Sequence, residues 1–393
     1  MRRAAIVMPM RTPVGLPGGA LAAVAPHRLI ATALSAAIGR SGLDPARVDH
    51  VVSAVDGSAA VSAALPLAGL SPAVSEFAIG PGPGSGLRAL VTAAMMVQTG
   101  AADVVAVVGA GTEIASEQPE FAGQEALARR YDITRADADA LAASSHRRTA
   151  RAYRQGIFGA ETAPVVVNLD PGDPNSAVRQ LVDHDETLRD DVSTRGFAVL
   201  EPLAPEGIGT AGNSSAPTLA ASACLVVAEE RLADLGLEPM GYLLGWTTAT
   251  GNPGVAVPAT ALAVDKVLSP GDFRVGDMDL VEIDETTAVE VLALTRFWES
   301  EGTKFDADER LNVNGGAIAL GDPGGAAGLR VITTLLHELS RRAGGYGLAT
   351  MPAGANQALA VLFETPHSVP IAATPRGARF HGARPRRFGR HRA

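Results

Sequence analysis

Apolar residues in this chain alternate between short, dense runs and longer stretches in which they return every three to four positions. The runs VDHVVSAV (48–55), ADVVAVVGAGTE (102–113) and LAASACLVVAEE (219–230), with the opening MRRAAIVMPMRTP, read as strands. SGLRALVTAAMMV (85–97) and AGLRVITTLLHEL (327–339) carry the helical period, and they resemble each other, Gly86-Leu87-Arg88 answering Gly328-Leu329-Arg330. A Gly-bounded apolar strand follows each helix (102–113 and GYGLATMPAGANQ, 345–357), and a segment ending in a similar strand precedes each (48–55 and MDLVEIDETTA, 278–288). Strands alternating with helices predict a covered, largely parallel sheet, and similarity at one large offset predicts a duplicated unit rather than a short-period solenoid.

Between the halves lies a more polar stretch. Its clearest helix begins in ITRADADALAASSHRRTARAYRQG, with Thr134 as N-cap, Asp137 three residues on, and Gly156 as the stop. His146, Arg147, Arg148, Arg151 and Arg154 crowd its later turns, where the helix dipole favours cations, so it reads as a capped surface helix.

Composition narrows the class. Apolar residues make up 47 % and charged residues 19 %, enough for a large core, but aromatics are only 4 %, so that core is built from Ala, Val, Leu and Gly. One cysteine excludes an internal disulfide and a cysteine-rich metal site, and fits a reducing cytoplasm. No uninterrupted apolar run reaches membrane-spanning length. The formal net charge is −9 although Arg376–Ala393 holds seven arginines and no acid. The acidic body argues against nucleic-acid binding, and the Arg/Gly/Pro-rich tail reads as a disordered, solvated terminus.

The stretch AIGPGPGSGLRAL (78–90) ends a strand in a Gly/Pro-rich turn that opens a helix, a backbone suited to aiming groups at one point. It carries Pro83 between two glycines and no Cys, His or Lys. Gly315-Gly316 and Gly324-Gly325 match neither a P-loop nor a dinucleotide fingerprint and read as close backbone packing.

Several motifs in order make the chain similar to the thiolase family, the acyl-CoA acetyltransferases and ketoacyl-CoA thiolases: Arg11-Thr12-Pro13 with Gly18-Gly19, DITRADADALAASS, TAGNSS (210–215) and NVNGGAIALGDPGGAAGLR (312–330). The resemblance runs to about Glu364. It implies an α/β, five-layered α-β-α-β-α fold of two duplicated halves with a loop domain, here shortened because only SEQPEFAGQEALARRYD separates Ile114-Ala115 from the TRADAD helix. The expected divisions are an N-terminal half (1–115), an inserted loop domain (116–205), the remainder of the N-terminal half (206–250), a C-terminal half (251–365) and a basic tail (366–393). A homodimer and a cytoplasmic location are expected.

Carried over by motif, the resemblance puts the family's nucleophilic cysteine at Pro83, its GHP histidine at Asp322, its second cysteine at Pro352 and its NEAF asparagine at Asp284 of Asp284-Glu285-Thr286-Thr287. Proline has neither a thiolate nor an N–H for an oxyanion hole. Gly354 keeps a backbone N–H as oxyanion candidate. Gly245 stands where the family has a serine near the pantetheine arm, and Gly245 and Ser85 are the candidate substrate-binding positions. Ser85 as a replacement nucleophile lacks a histidine to activate it. Asp284, Glu285 and Asp322 would converge, to act as acid/base groups or to gather a divalent cation; alternatively Asp322 caps the next helix and Glu285 stays in structural hydrogen bonds. Cys224 reads as a core thiol and His184 as an exposed partner of its acidic neighbours.

The expected function is that of an acyl-CoA or acyl-thioester binding or partner subunit without Claisen or thiolytic chemistry. The alternative is an acyltransferase-related enzyme using Asp322, Asp284 or Glu285 as acid/base. No cofactor or metal is expected beyond acyl-CoA as substrate or ligand.

Overall fold

The computed structural model describes residues 2–55, 57–80, 82–111, 121–168, 179–189, 192–251, 257–354 and 356–368; the Arg-rich tail lies outside them. The first half runs β1 (Ala4–Arg11), α1 (Pro26–Ser41), β2 (His50–Ala54), α2 (Ser58–Leu67), β3 (Ser75–Ala78), α3 (Ser85–Thr99), β4 (Val104–Gly111). An insertion follows with α4 (Phe121–Arg130), α5 (Arg135–Arg154), β5 (Val165–Asn168), β6 (Arg179–Val182) and α6 (Thr194–Ala198), before β7 (Ala220–Ala228) and the short α7 (Leu232–Leu235). The second half comprises β8 (Gly241–Thr250), α8 (Ala259–Leu268), β9 (Leu280–Ile283), α9 (Ala288–Ser300), the short α10 (Ala307–Arg310) and α11 (Ala317–Leu320), α12 (Ala327–Arg342), β10 (Tyr346–Pro352) and β11 (Gln357–Glu364).

The strand order β3-β2-β4-β7-β1-β8-β11-β10-β9 makes the duplication visible. β1 and β8, the first strands of the two halves, meet through Ala5↔Tyr242 and Ile6↔Gly241, and the orders run outward from them in parallel fashion. By this topology β8 belongs with the second half, although the sequence reading kept residues up to 250 with the first. The expectation of a largely parallel sheet is corrected: β2–β3, β2–β4 and β9–β10 are parallel, and the remaining pairings are antiparallel. The reason is local. β10 turns back into β11 within a few residues, and only a longer crossover could have set them parallel.

Three large cores lie between the five layers, the central one serving both faces of the middle helical layer. Leu29, Ile30, Leu34 and Val61 from α1 and α2 cover one face of the first half, together with Val51 and Leu225. The central core joins α3 and α12 to both halves through Leu87, Leu90, Leu335, Leu336, Val107 and Val361. Val264, Leu268, Leu294 and Trp298 of α8 and α9 cover the outer face of the second half. No helix among the described residues is long and apolar enough to cross a membrane.

The insertion is fastened to β1 by buried charge. Arg11 donates to Glu161 at 2.6 Å and, in a fork, to Asp185 at 2.7 and 3.1 Å, all three side chains fully enclosed. Asp185 also accepts the Val14 N–H, and Glu161 the Thr334 hydroxyl of α12. The helix read as a surface element is α5. Its capping box forms between Thr134 and Asp137, but Ala138, Ala142, Ser145, His146 and Thr149 are buried. Burial and Arg189 push the His146 imidazole down to about 4, so it is a neutral core ring rather than a dipole-facing cation. Half-buried Arg148 and exposed Arg151 each donate to a backbone carbonyl, those of Leu311 and Val313.

The central layer is set by glycines in backbone contact. A Cβ on Gly325 would lie 1.9 Å from the Ala54 carbonyl oxygen, and one on Gly109 or Gly86 2.1 or 2.4 Å from that of Gly325. Gly325→Ala is therefore expected to lower stability by about 2–3 kcal/mol, seen as a lower urea midpoint at unchanged slope. Gly39→Ala in α1, where a Cβ meets nothing within 4 Å, should leave stability unchanged or raised.

Candidate functional site

The tip of α3 is the natural focus. Gly84 holds a left-handed conformation (φ 77°) as N-cap, and the Ser85 N–H closes a tight turn onto the Gly82 carbonyl at 3.1 Å. Pro83 sits exposed at the apex. A Cβ on Gly84 would lie 3.2 Å from that of Ala353, so the turn packs against the end of β10, where half-buried Pro352 and Gly354 lie. Gly354 takes φ 86°, and its carbonyl accepts the Gln357 N–H at 2.6 Å. Gly86 abuts Gly325, while Gly111 of β4 abuts the Pro323 carbonyl. The segments carrying Pro83, Asp322 and Pro352 thus meet at one place.

Asp284 follows β9 directly and extends its ladder by donating its N–H to the Thr350 carbonyl at 3.0 Å. Its side chain is buried; Oδ1 has no hydrogen-bond partner and lies 3.6 Å from the Arg330 guanidinium. Burial foremost, then the charge of Asp322, push the Asp284 carboxyl up to about 7, with Glu285 adding to the rise and Arg330 opposing it. Asp322 is half-buried, and its Oδ1 accepts the Gly324 N–H at 2.9 Å. Burial raises this carboxyl too, against that hydrogen bond and Arg330. Its backbone is clamped between the Ala216 carbonyl and the Thr218 N–H.

Glu285 has a different situation. Its oxygens accept from the Ser145 hydroxyl (2.6 Å), the Asn312 amide (2.8 Å) and the Ile318 N–H (3.2 Å), which makes it a tie between α5, the 312–316 turn and α11. Of the three acids, Asp284 and Asp322 therefore keep capacity for a ligand or a proton. Among the described residues no group of three His, Cys, Asp or Glu side chains is placed to hold a metal ion.

The sequence reading missed two groups. Arg330 is buried, and none of its guanidinium nitrogens makes a hydrogen bond, the Asp284 contact being an ion pair only. Glu290 stands at the third position of α9, where the Thr287 N-cap accepts its N–H; the reciprocal half of a capping box is not made. Instead its Oε2 is buried without a partner, and burial, then Asp284, push its carboxyl up to about 7. The signal was present as Thr-x-x-Glu, which reads as a cap and so conceals a buried acid.

The remaining candidates have other surroundings. Gly245 is in the middle of β8, where an added Cβ would face Val267 of α8. Ser85 Oγ is buried at the α3 tip without a partner. Cys224 is a core residue of β7 paired with Val107, its thiol pushed up to about 12 by burial. His184 is exposed, paired with Asp183 and stacked on Tyr153. A cavity of about 210 Å³ lies between Glu161, Asn314, His337 and Glu338, away from the α3 tip.

Comparison with known proteins fits this geometry. Residues 4–124 and 114–230 match the thiolase N-terminal domain, and 237–365 the thiolase C-terminal domain. The chain is 32 % identical to an acetyl-CoA acetyltransferase of Chromobacterium violaceum, over 92 % of this chain and 99 % of that protein. It is 31 % identical to a beta-ketoadipyl-CoA thiolase of Acinetobacter baylyi, over 93 % and 100 %. Among solved structures, the Bacillus anthracis acetyl-CoA acetyltransferase superposes with TM-score 0.82 at 27 % identity, over 93 % of this chain and 99 % of that one. Human mitochondrial 3-ketoacyl-CoA thiolase in complex with CoA gives 0.82 at 26 %, over 93 % and 98 %.

A raised carboxyl binds a proton in the folded chain that it has lost in the unfolded one. Stability from Asp284 is thus fully present below its ordinary range and is lost as pH rises toward 7. Asp284→Asn, which mimics the protonated form, should gain Tm relative to the parent as pH goes from about 5 to about 8, and match it near pH 4. Differential scanning fluorimetry across that range checks the slope.

Proposed function

Because the chain belongs to the thiolase family, we propose that it binds an acyl thioester of the coenzyme A type without ever carrying the acyl group covalently. One observation carries this reading: Pro83 occupies the apex of the turn into α3, and proline supplies neither a nucleophile nor an N–H. Asp322 and Pro352 stand at the neighbouring positions where the sequence motifs would seat an imidazole and a second thiol. The lone thiol, Cys224, is enclosed in the central sheet. Claisen condensation and thiolysis through an acyl-enzyme have no route, and the chain acts as a binding subunit.

A second reading is favoured by the unpartnered Oδ1 of Asp284 beside Asp322. There the bound thioester meets acid/base chemistry from the two carboxyls rather than mere retention. Glu285, tied up by three donors, takes no part in it.

Self-association into a homodimer belongs to the same proposal. It is supported by β3, a four-residue edge strand whose residues are largely exposed, Phe77 among them at 37 % exposure. Phe77→Lys should convert a dimer into a monomer in light scattering, with circular dichroism unchanged.

Incubation with radiolabelled acetyl-CoA is expected to leave no label on the denatured polypeptide and no acetoacetyl-CoA thiolysis, while calorimetry registers binding of acetyl-CoA. A stable acyl adduct would sink the proposal.

A further inference from the structure

We infer that Asp284 and Asp322 form a proton-sharing pair that hydrolyses a bound acyl thioester directly with water, an inference that rests on the second, acid/base reading above. The two acids stand on different elements, the end of β9 and the turn before α12, and the backbone brings those elements to the α3 tip. The Asp284 N–H donates to Thr350 of β10, the strand whose end packs on Gly84, and Pro323, next to Asp322, abuts Gly111 of β4, while the charge of Asp322 acts on Asp284. Their surroundings differ in the way an acid and a base require. Asp322 is half-exposed, and its Oδ1 is held by the Gly324 N–H, a hydrogen bond that favours the ionised form and leaves Oδ2 for water. Asp284 is enclosed and its Oδ1 accepts no hydrogen bond, the setting of a carboxyl that keeps its proton.

The charged groups around the pair point the same way. The charges of Asp284 and of Glu290 on α9 oppose each other, and Glu285 adds to the burden on Asp284, while Arg330 of α12, 3.6 Å from Asp284, favours its ionised form and that of buried Glu282 of β9. Three further carboxyls, those of Glu282, Glu285 and Glu290, thus stand near one guanidinium whose approach to Asp284, at 3.6 Å, is longer than a hydrogen bond.

The reaction balances without a co-reactant beyond water. Ionised Asp322 takes a proton from the attacking water, whose oxygen bonds to the thioester carbon. Protonated Asp284 donates its proton to the carbonyl oxygen as the tetrahedral species forms. When that species collapses, the C–S bond breaks, the sulfur leaves with the proton held by Asp322, and a hydroxyl of the tetrahedral carbon returns its proton to Asp284 as the carbonyl is restored. The products are a carboxylic acid and a free thiol, and the pair again holds one proton. No acyl group has to be stored on the protein, so Pro83 is no obstacle, whereas transfer between two thiols through an acyl-enzyme would require the nucleophile that proline lacks.

The test uses the full chain and acetyl-CoA in water enriched in oxygen-18, following thiol release and the label in acetate. Expected are thiol release, oxygen-18 in the acetate and none in the protein carboxyls. The pH profile should be bell-shaped, with one limb lost in Asp284→Asn. Asp284→Asn and Asp322→Asn should each slow release about 100-fold or more, with Cys224→Ala unchanged. Circular dichroism accompanies each variant; if Asp322→Asn fails to fold, Asp284→Asn and the profile decide. Acetyl-CoA that binds but releases no thiol overturns hydrolysis and leaves the binding proposal standing. Absence of binding overturns both. Release that persists in Asp284→Asn, or label entering the protein, overturns the carboxyl-pair route.

Discussion

Two helices at the centre of the molecule touch backbone to backbone, and the arrangement of every candidate side chain depends on that contact. Gly86 of α3 and Gly109 of β4 both lie against the carbonyl of Gly325 before α12, Gly325 itself lies against that of Ala54, and Gly328 lies against the Leu87 N–H. At such distances any side chain would separate the layers. Because the layers stay closed, the turn before α3, the turn before α12 and the end of β10 are held against each other, which is how residues more than two hundred positions apart come to share a site.

Charge is the second organising force, and it works against the first. The close-packed interior excludes water, yet it contains Glu282, Asp284 and Arg330, with Asp322 and Glu290 at its edge. An isolated buried carboxylate is very costly, and one guanidinium at ion-pair distance offsets only part of it. The interior answers by keeping protons, which is why Asp284 and Glu290 are pushed toward neutrality. Glu285 escapes through three hydrogen bonds and so becomes structural. Two carboxylic acids, Asp284 and Glu285, one position apart, thus differ: one is pushed toward neutrality by burial and the other is a structural tie.

Much of the architecture was legible because glycines and repeats leave marks in sequence. The pair Gly86-Leu87-Arg88 and Gly328-Leu329-Arg330 announced the two central helices, and the mirrored strand order is the same duplication in space. What escaped depends on long-range packing. Strand direction was misjudged because alternation of strands and helices says nothing about a hairpin such as β10–β11. The basic residues of α5 look like a solvated face, and only the tertiary structure turns Arg148 and Arg151 toward carbonyls and encloses His146. Glu290 was hidden by a local motif with a sufficient explanation of its own, and Arg330 by lying inside a repeat that seemed to concern packing alone.

The knot of Arg11 with Glu161 and Asp185 has a consequence for how this architecture tolerates loss of length. Both acids belong to the rear part of the insertion, and both grip the very first strand, so the excursion is moored downstream of α5 rather than at the point where it leaves β4. Segments upstream of the mooring can be trimmed or exchanged while the remainder keeps its berth, as a rope made fast at its far end stays put when slack is cut from the near one. A change of length ahead of α5 is therefore one the scaffold absorbs without freeing the insertion from β1.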